Sequence, residues 1–529
     1  MANSAVDGGM TVRDPLDWIE EARRRPDRLF LRTPEGRNFS YSALCEQSGR
    51  IASALTRRGV NSGDRVAVQV DKSAEAVFLY VACLRMGAVF VPINVANTPN
   101  EVDYFLRDSQ PRAVIVRPQD QTLIEPLARQ ANIDCVETLA ADGSGSLPLL
   151  AGKCAADFAA RRELGSGSIA AIIYTSGTTG RPKGAMLTRA NLTSNATVLA
   201  EAWRFCEADV LLHTLPLFHI HGLFVAINTV LASNSSLLLA SKFDAAQALE
   251  QFPQASVYMG VPTHYTRLLQ QGGLNRDTTA TMRLFVSGSA PLLAETHREF
   301  RQRTGHVILE RYGMSETMMN TSNPYDGVRL PGSVGPPLKG ISVRVRKAES
   351  GGVEPEPDVV GTLEVKGPNV FAGYWRDEEK TRSEFCADGW FKTGDVGRVD
   401  RNGYVHIVGR AKDLVISGGC NVYPKEVEAE LDAVEGVLES AVFGVPHPDF
   451  GEGVTAVVVA KPGAALSEEA IIESIKTRLA RYKVPKRILL VEELPRNAMG
   501  KVQKNALRKT FAAIYADDTG GVRDIRIIG

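Results

Sequence analysis

The sequence predicts an α/β protein in which a large N-terminal domain of doubly wound sheets precedes a smaller C-terminal domain. Apolar runs that suit buried strands lie at residues 65–70, 88–92 and 113–116, and a helical pattern separates the first two at 74–84. Such alternation of strands and helices is typical of parallel sheets covered by helices on both faces. The chain of 529 residues is too long for one core, and its length favours about three to four folding units.

From about Val343 the pattern changes to an alternation of apolar and polar residues. This alternation occupies residues 342–346, 361–366 and 403–408, and an Asn-Gly pair at 402–403 supplies a hairpin turn. Half-exposed antiparallel strands have this pattern, and we therefore expect a β-barrel-like subdomain at the end of the N-terminal domain.

A second unit begins near Arg410. Its segments are predicted helices at 425–434 and 468–480 and predicted strands at 440–444, 455–460 and 487–491. This pattern indicates a small α+β domain with a core of its own. In the N-terminal part, residues 142–167 are rich in Gly, Ser and Ala and predict a loose connection.

The composition excludes several classes of function. Lys+Arg and Asp+Glu both number 61, so the formal net charge is zero and no basic excess points to nucleic acid or to an anionic membrane. Seven scattered cysteines without zinc-type spacing fit a reduced cytosolic protein. We find neither an apolar run of about 18 residues nor an apolar N-terminal segment, and we expect a cytoplasmic location.

Segment 174–184, Tyr-Thr-Ser-Gly-Thr-Thr-Gly-Arg-Pro-Lys-Gly, is the strongest functional signal. It follows an apolar run at 169–173 that predicts a buried strand. Its glycines let backbone N–H groups approach an anion, its hydroxyls donate further hydrogen bonds, and Lys183 adds a positive charge. The spacing differs from that of a Walker A loop. The segment therefore predicts a polyphosphate site, with an ordinary Gly/Ser/Thr-rich surface loop as the alternative.

This segment resembles the phosphate loop of the acyl-adenylate-forming (AMP-binding) enzymes, which include the acyl-CoA synthetases. Further segments resemble the same family, in the same order, from about residue 30 to about residue 512. The resemblance implies ATP and Mg²⁺ as cofactors and coenzyme A (CoA) as a substrate. The loop residues that it assigns to ATP are Thr175, Ser176, Gly177, Thr178, Thr179, Gly180 and Lys183.

The resemblance also implies a division of the chain. Residues 1–409 would bind AMP and the acyl group, residues 410–413 would be a hinge that contains Lys412, and residues 414–529 would be a mobile domain. Hinges need only a few residues that absorb backbone rotation.

A second motif, at 312–317, supplies the metal ligand by resemblance. Glu316 would hold Mg²⁺ with Thr175 close to it, and Thr317 would contact phosphate. A hard cation that bridges ATP oxygens needs a carboxylate nearby, which agrees with this assignment. An ordinary surface glutamate beside a turn is the alternative.

Other nucleotide contacts follow from the same resemblance. A carboxylate such as Asp395 can accept hydrogen bonds from both ribose hydroxyls, with Arg410 beside it. The residues that would border the adenine are Gly288, Ser289, Ala290, Glu310, Arg311 and Tyr312.

The last motifs concern CoA and catalysis. Gly418 and Gly419 would let the thin pantetheine arm of CoA pass. Lys501, in the segment 495–502, matches the family's catalytic lysine, which spans the substrate carboxylate and the α-phosphate. A lysine acetyltransferase acting on Lys501 would remove its charge, and the family suggests such an enzyme as a partner.

Five segments, of which the first three would form the acyl pocket, resemble those of malonyl-CoA synthetases, which implies malonate as the acid and methylmalonate as a second one. They are residues 215–223, 259–268, 282–292, 310–324 and 446–453. An ionised second carboxylate cannot be buried unpaired, so the pocket needs a cation. Arg267 is the first choice because its planar fork suits a carboxylate. The other substrate candidates are His219, Arg283 (the runner-up cation, equally consistent with a surface residue), Ser289 and Met314.

Three alternatives share some of these features. An acyl-CoA synthetase for a medium-chain or aryl acid would keep all the nucleotide residues. An enzyme that loads a carrier-protein thiol is the second alternative, although no carrier motif follows Lys501. A nucleotide-binding regulatory protein without turnover is the third. The sequence does not predict the oligomeric state.

Overall fold

A computed structural model describes residues 14–158, 164–175, 181–347, 352–353, 356–497 and 500–516. Its α-helices are α1 (Pro15–Arg23), α2 (Tyr41–Arg57), α3 (Ala74–Met86), α4 (Pro99–Ser109), α5 (Gln121–Gln130), α6 (Ser146–Gly152), α7 (Arg189–Ala202), α8 (Asn228–Ser233), α9 (Ala245–Gln251), α10 (Pro262–Leu269), α11 (Ala294–Thr304), α12 (Glu378–Glu384), α13 (Pro424–Asp432), α14 (Glu468–Ile475) and α15 (Lys504–Thr510).

Its strands are β1 (Leu29–Arg32), β2 (Asn38–Ser40), β3 (Arg65–Gln69), β4 (Val89–Pro92), β5 (Ala113–Val116), β6 (Cys135–Thr138), β7 (Ile169–Thr175), β8 (Lys183–Thr188), β9 (Val210–His213), β10 (Ser236–Leu239), β11 (Val257–Gly260), β12 (Leu284–Ser287), β13 (Leu309–Met314), β14 (Met318–Ser322), β15 (Ser342–Arg346), β16 (Gly361–Lys366), β17 (Phe391–Val399), β18 (Val405–Arg410), β19 (Val415–Ser417), β20 (Cys420–Val422), β21 (Val437–His447), β22 (Gly451–Ala460) and β23 (Arg487–Val491).

Two large sheets form the N-terminal region. Among the described residues, one sheet has the strand order β14-β13-β12-β11-β9-β10-β1-β2 and the other the order β6-β5-β3-β4-β7-β8. Neighbouring strands run parallel except at three antiparallel pairs at or near the edges, β1–β2, β13–β14 and β7–β8. The strand order departs from chain order as it does in doubly wound sheets, which confirms the predicted fold class.

Helix α3 lies in the core that these sheets share. The Ser73 hydroxyl caps its first turn by accepting a hydrogen bond from the N–H of Ala76 at 3.1 Å, and Gly87 ends it with a φ of 73°. All its residues except Glu75 are buried, as expected for a helix that is largely apolar on all sides. The same core cluster contains Phe90 from one sheet and Val286 from the other, so one core holds both sheets together.

The next unit is an antiparallel meander with the strand order β15-β16-β17-β18. Its three alternating segments were predicted as strands, and the register places Asp395 opposite Arg410. In the part of the chain that the structure describes, β15 and β18 lie at opposite edges. The outer edge of β18 is hydrogen-bonded through Val405 to Val334 and Gly335, which precede β15 in the chain.

The C-terminal domain is a mixed sheet with the order β20-β19-β22-β21, to which β23 adds in parallel beside β22. Helices α13 and α14 contribute Val427 and Ile471 to one buried cluster, while α15 contributes Leu507 to a second cluster. Two separate clusters confirm a small α+β domain with its own core.

One local prediction is wrong. Residues 142–167 were expected to be a loose connection, yet they contain α6, whose Leu147 and Ala151 are buried four residues apart in the main core. Two buried positions on so short a helix are too weak a pattern to outweigh the surrounding glycines and serines. Residues 159–163 lie outside the described residues. Of the helices that are described, none is long and apolar enough to cross a membrane.

Candidate active site

A buried carboxylate meets the end of β7, where the predicted phosphate segment begins. Glu316 follows β13 and is 7% exposed. The hydroxyl of Tyr374 donates to its Oε1 at 3.1 Å, and the hydroxyl of Thr175 donates to the same oxygen over 3.5 Å. Burial raises the pKa of Glu316, so a neighbouring cation would favour its ionised form. The structure thus brings together the two residues predicted for the metal.

The chemistry of this pair suits Mg²⁺. The ion commonly takes one or two protein carboxylates and completes its octahedron with water and substrate phosphate oxygens. Within the described ranges, no group of three or more His, Cys, Asp or Glu side chains could cage a metal ion. Glu316 with Thr175 therefore fits a cation that arrives together with a nucleotide.

Lys183 lies on the same side of the cleft, at the start of β8. Its Nζ is 3.7 Å from Oδ2 of Asp377 and 5.8 Å from the centre of the Tyr374 ring. Thr317 is fully buried, and its hydroxyl oxygen has no hydrogen-bond partner in the described part of the chain. Both residues were predicted from the sequence to contact phosphate. The rest of the predicted loop, Ser176, Gly177, Thr178, Thr179 and Gly180, lies outside the described residues.

The predicted ribose clamp is assembled from three elements. Asp395 is 3% exposed, Nε of Arg410 donates to its Oδ1 at 2.7 Å, and the hydroxyl of Tyr312 donates to its Oδ2. Donors on both sides fix the orientation of the carboxylate, which suits the capture of neighbouring hydroxyls. Nearby, burial raises the pKa of Glu310 to about 8, and the N–H of Gly332 donates to its carboxylate at 3.2 Å.

The C-terminal domain brings Lys501 to this cleft. Desolvation, and then the charge of Arg410, lowers the pKa of Lys501, whereas Asp395 and Glu316 oppose the shift. The side chain keeps contact with solvent because the cleft is open. Lys501 and the two carboxylates therefore share one cleft.

Beside the cleft lies a buried group of polar atoms without partners. Arg311 is 3% exposed, and its Nε and Nη2 have no hydrogen-bond partner among the residues described. The same holds there for Nε2 of His221 and Oγ of Ser287. Burial, and then the charge of Arg311, lowers the pKa of His221 well below its usual range, so the ring is neutral. Arg311, His221 and Ser287 are called the anion cluster below.

The strand end before α11 is shaped to fit this cluster. A Cβ on Gly288 would lie 2.4 Å from Cζ of Arg311, so a larger residue here would displace the guanidinium from its present position. Ser289 has a φ of 72°, a left-handed conformation that costs a non-glycine residue about 1–3 kcal/mol and is concentrated at functional sites. Its Oγ lies 3.2 Å from Nδ1 of His221. Sequence reasoning assigned Arg311 to the adenine and missed this role of its side chain. The one available signal was an arginine within a buried strand.

The predicted substrate residues fall into two places. Arg267 and His264 line a cavity of about 340 Å³ between α10 and the loop that precedes Lys501. Burial, and then Arg267, lowers the pKa of His264 to about 3, while burial, and then Lys501, lowers that of His219 to about 4. His219 is therefore beside Lys501. The charge of Arg267 acts on His264.

Arg283 requires a correction. Its Nε and Nη2 donate to the two carboxylate oxygens of Asp209 at 2.7 and 2.6 Å, and its Nη1 donates to the carbonyl of Trp203. Asp209 is 3% exposed and needs this partner to remain charged. Arg283 is thus a structural residue and not a substrate cation.

The remaining predicted residues lie near the junction of the two domains. Gly418 and Gly419 form the turn between β19 and β20, with φ values of 58° and 78° that favour glycine. Lys412 lies in the 3₁₀ turn Ala411–Asp413 that follows β18. The contacts of Met314 include the hydroxyl of Tyr312, 4.0 Å from its sulfur.

The chain is similar to several known proteins. The model of the AMP-binding enzyme family matches residues 18–375, and that of the AMP-binding enzyme C-terminal domain matches residues 426–501. A mitochondrial malonate–CoA ligase of Homo sapiens is 36% identical, with 92% of this chain and 90% of the relative covered. A sulfoacetate–CoA ligase of Cupriavidus necator is 35% identical over 91% of this chain and 95% of its own. The crystal structure of ATP-bound MatB from Rhodopseudomonas palustris shares 52% identity and a TM-score of 0.92, covering 95% of this chain and 100% of that one.

Proposed function

The chain belongs to the AMP-binding enzyme family, and we propose that it joins malonate to CoA in an ATP-dependent reaction that proceeds through malonyl adenylate and releases AMP and pyrophosphate. Malonate–CoA ligases from Homo sapiens and Arabidopsis thaliana, 36% and 32% identical to this chain, support the acid, and the family supports the AMP-forming chemistry.

In the first step, a carboxylate oxygen of malonate attacks the α-phosphorus of ATP and pyrophosphate leaves. Two anions must approach each other, so the cleft has to supply positive charge and hydrogen-bond donors at the reacting atoms. Lys501 does so for the carboxylate and the α-phosphate, and Lys183 for the departing phosphates. Mg²⁺ bound beside Glu316 and Thr175 would neutralise further phosphate charge. The protein itself mainly positions the reactants.

In the second step, the sulfur of CoA attacks the acyl carbon of the adenylate, its thiol proton is lost, and AMP leaves. The paired glycines Gly418 and Gly419 support a passage for the pantetheine arm, because a turn without Cβ atoms admits a thin chain closely. Lys412, in the short turn between the domains, is our candidate for the hinge about which the C-terminal domain moves.

The anion cluster is the observation that supports malonate as the acid. A buried guanidinium without an acidic partner is costly, and proteins keep such a charge where a ligand completes it. The far carboxylate of malonate would satisfy the fork of Arg311, the ring nitrogen of His221 and the hydroxyl of Ser287 together. A fatty or aryl acid would place only apolar atoms there. Arg311 thus takes precedence over Arg267, which remains a candidate at the neighbouring cavity.

Three further parts of the proposal concern the cell. The seven cysteines are all free, which supports a reduced compartment such as the cytoplasm. Acetylation of Lys501 by a lysine acetyltransferase would cancel the charge needed in the first step and so would switch the enzyme off. A role in fatty acid metabolism is consistent with malonyl-CoA as the product.

A panel of acids tests the proposed function. The purified protein is given ATP, Mg²⁺ and CoA with malonate, methylmalonate, sulfoacetate, acetate or octanoate, and the thioesters are weighed by mass spectrometry. Malonate is expected to have the highest kcat/KM. Methylmalonate should lose about 10–200-fold, because one extra methyl changes binding by roughly 1–3 kcal/mol.

The kcat/KM values of the other acids in the panel discriminate among the alternatives. Acetate lacks the second anion and should fall by about 10²-fold or more. Preference for sulfoacetate would keep the anion cluster and change the acid that it binds. Faster turnover of octanoate or acetate would contradict the assignment to a small dianion.

The pH dependence of adenylation should reflect Lys501. The lysine acts in its protonated form, and its pKa is lowered by desolvation and by Arg410, so its charge is lost at a lower pH than for an ordinary lysine. The rate of malonate-dependent ATP–pyrophosphate exchange should therefore fall on the alkaline side, starting below the usual lysine pKa of about 10.4. A rate that stays flat through that range would contradict an ionised Lys501.

A further inference from the structure

The loop that carries Lys501 is closed by its own hydrogen bonds. The N–H of Asn497 donates to the carbonyl of Lys501 at 3.0 Å, and the N–H of Lys501 donates to Oδ1 of Asn497 at 3.0 Å. The N–H of Gly500 donates to the carbonyl of Asn497 at 2.8 Å. These bonds define the shape of the loop but not its position relative to the cleft, because none of them leaves the loop. Ala498 and Met499 lie outside the described residues.

Two of the contacts seen among the described residues tie the loop to its surroundings. On the side of its own domain, Nη1 of Arg496 donates to the carbonyl of Gly500 at 2.6 Å, and Nη2 forms an ion pair with Glu439 on β21. On the side of the N-terminal domain, Gly500 has a φ of 71°, and a Cβ placed on it would lie 2.9 Å from Oγ1 of Thr263 on α10. The residue before Lys501 is therefore held between β21 and α10.

Arg496 connects Glu439 to Gly500, and the point charge of a lysine could not replace it in this role. Its planar guanidinium spans a carboxylate on one side and a carbonyl on the other, so the position of Gly500 follows that of the rigid strand β21. Arg496 and Glu439 are each about one quarter exposed, at 27% and 25%. An ion pair this exposed contributes little to stability, which leaves geometry as its main effect.

We propose that Glu439 and Arg496 are a positioning pair that sets the location of Lys501 for adenylation. The inference rests on the proposed function in one respect, namely that Lys501 acts at the carboxylate and the α-phosphate. It goes beyond that function because it assigns Glu439 and Arg496, which also lines the cavity beside Arg267, to the placement of Lys501. Loss of the pair should impair the step that uses Lys501 and spare the step that does not.

The test separates the two half-reactions in four variants. Adenylation is measured as acid-dependent ATP–pyrophosphate exchange, and thioester formation is measured from synthetic malonyl adenylate and CoA. Arg496→Met and Glu439→Leu should lower kcat of adenylation by about 10–10²-fold with the KM for ATP unchanged, because misplacement by about 1 Å can cost 10²-fold. Arg496→Lys should not restore it, since an ammonium cannot span both acceptors. Glu439→Gln keeps an acceptor oxygen and should therefore retain most of the kcat of adenylation.

A matched control comes from the same domain. Arg478→Met removes a surface ion pair with Glu430 (3.3 Å) and should leave both half-reactions unchanged. The proposal of a positioning pair is overturned if Arg496→Met and Glu439→Leu leave the rate of adenylation intact, or if the rates of both half-reactions fall together. If either variant fails to fold, the contrast between Arg496→Lys and wild type decides, since a purely structural pair would show a lower Tm and no change specific to adenylation. Failure of the malonate assignment would appear separately, as a wild-type enzyme that exchanges pyrophosphate only with another acid.

Discussion

Lys501→Ala is expected to lower the rate of malonate adenylation by about 10²–10³-fold or more, while CoA still reacts at a near-normal rate with supplied malonyl adenylate. Lys501 is in the cleft that contains Glu316 and Asp395, where its charge can offset the repulsion between the attacking carboxylate and the α-phosphate. A single preorganised donor at a developing charge is commonly worth a factor of this size. The second step forms no new anion at that position, so it should not need the lysine.

The measurement pairs pyrophosphate exchange with single-turnover thioester formation. Lys476→Ala is the matched control, because Lys476 pairs with Glu473 on the surface of the same domain and lies outside the cleft. Both of its half-reactions should equal those of wild type. Equal loss of the two half-reactions in Lys501→Ala would refute a role confined to adenylation, and with it the proposed movement about Lys412.

Local sequence patterns were sufficient for most of the fold. The strands predicted at 113–116 and 487–491 have these same bounds in the structure, because short apolar runs between turns have few other solutions. α6 was missed because its two buried positions carry too little periodicity. The pairing of β18 with residues 334 and 335 was also beyond reach, since no local pattern records such long-range hydrogen bonds.

The predictions for the site divide in the same way as those for the fold. Thr175, Glu316, Asp395 and Lys501 lie in compact motifs, and the structure gathers them as the motifs predicted. The sequence did not predict the roles of side chains that depend on contact with a residue distant in the chain.

Two arginines illustrate the difficulty. Arg283 finds Asp209 at a distance of 74 residues in sequence, and this partner turns a candidate substrate cation into a structural one. The side chain of Arg311 packs over Gly288, which directly follows the neighbouring strand β12, and finds no acid among the described residues. Both are arginines beside buried strands, and only their partners distinguish them.

Arg311→Met is expected to separate activity from stability. Methionine fills a similar volume without charge, and removing one member of a buried charge pair costs about 3–5 kcal/mol, so kcat/KM for malonate should fall by roughly 10²–10³-fold. The free protein, however, contains Arg311 as a buried cation without an acid. Its removal relieves that cost, and the Tm should stay the same or rise, as is common where function has been favoured over stability.

Arg283→Met should do the opposite, because it leaves Asp209 buried and unpaired. Its Tm should fall while the preference for malonate over acetate survives. Arg267→Met completes the set: a larger loss of malonate activity in this variant than in Arg311→Met would place the far carboxylate in the cavity beside His264. The ratio of malonate to acetate kcat/KM, measured with the Tm of each variant, distinguishes a cation that a substrate completes from one that the fold itself requires.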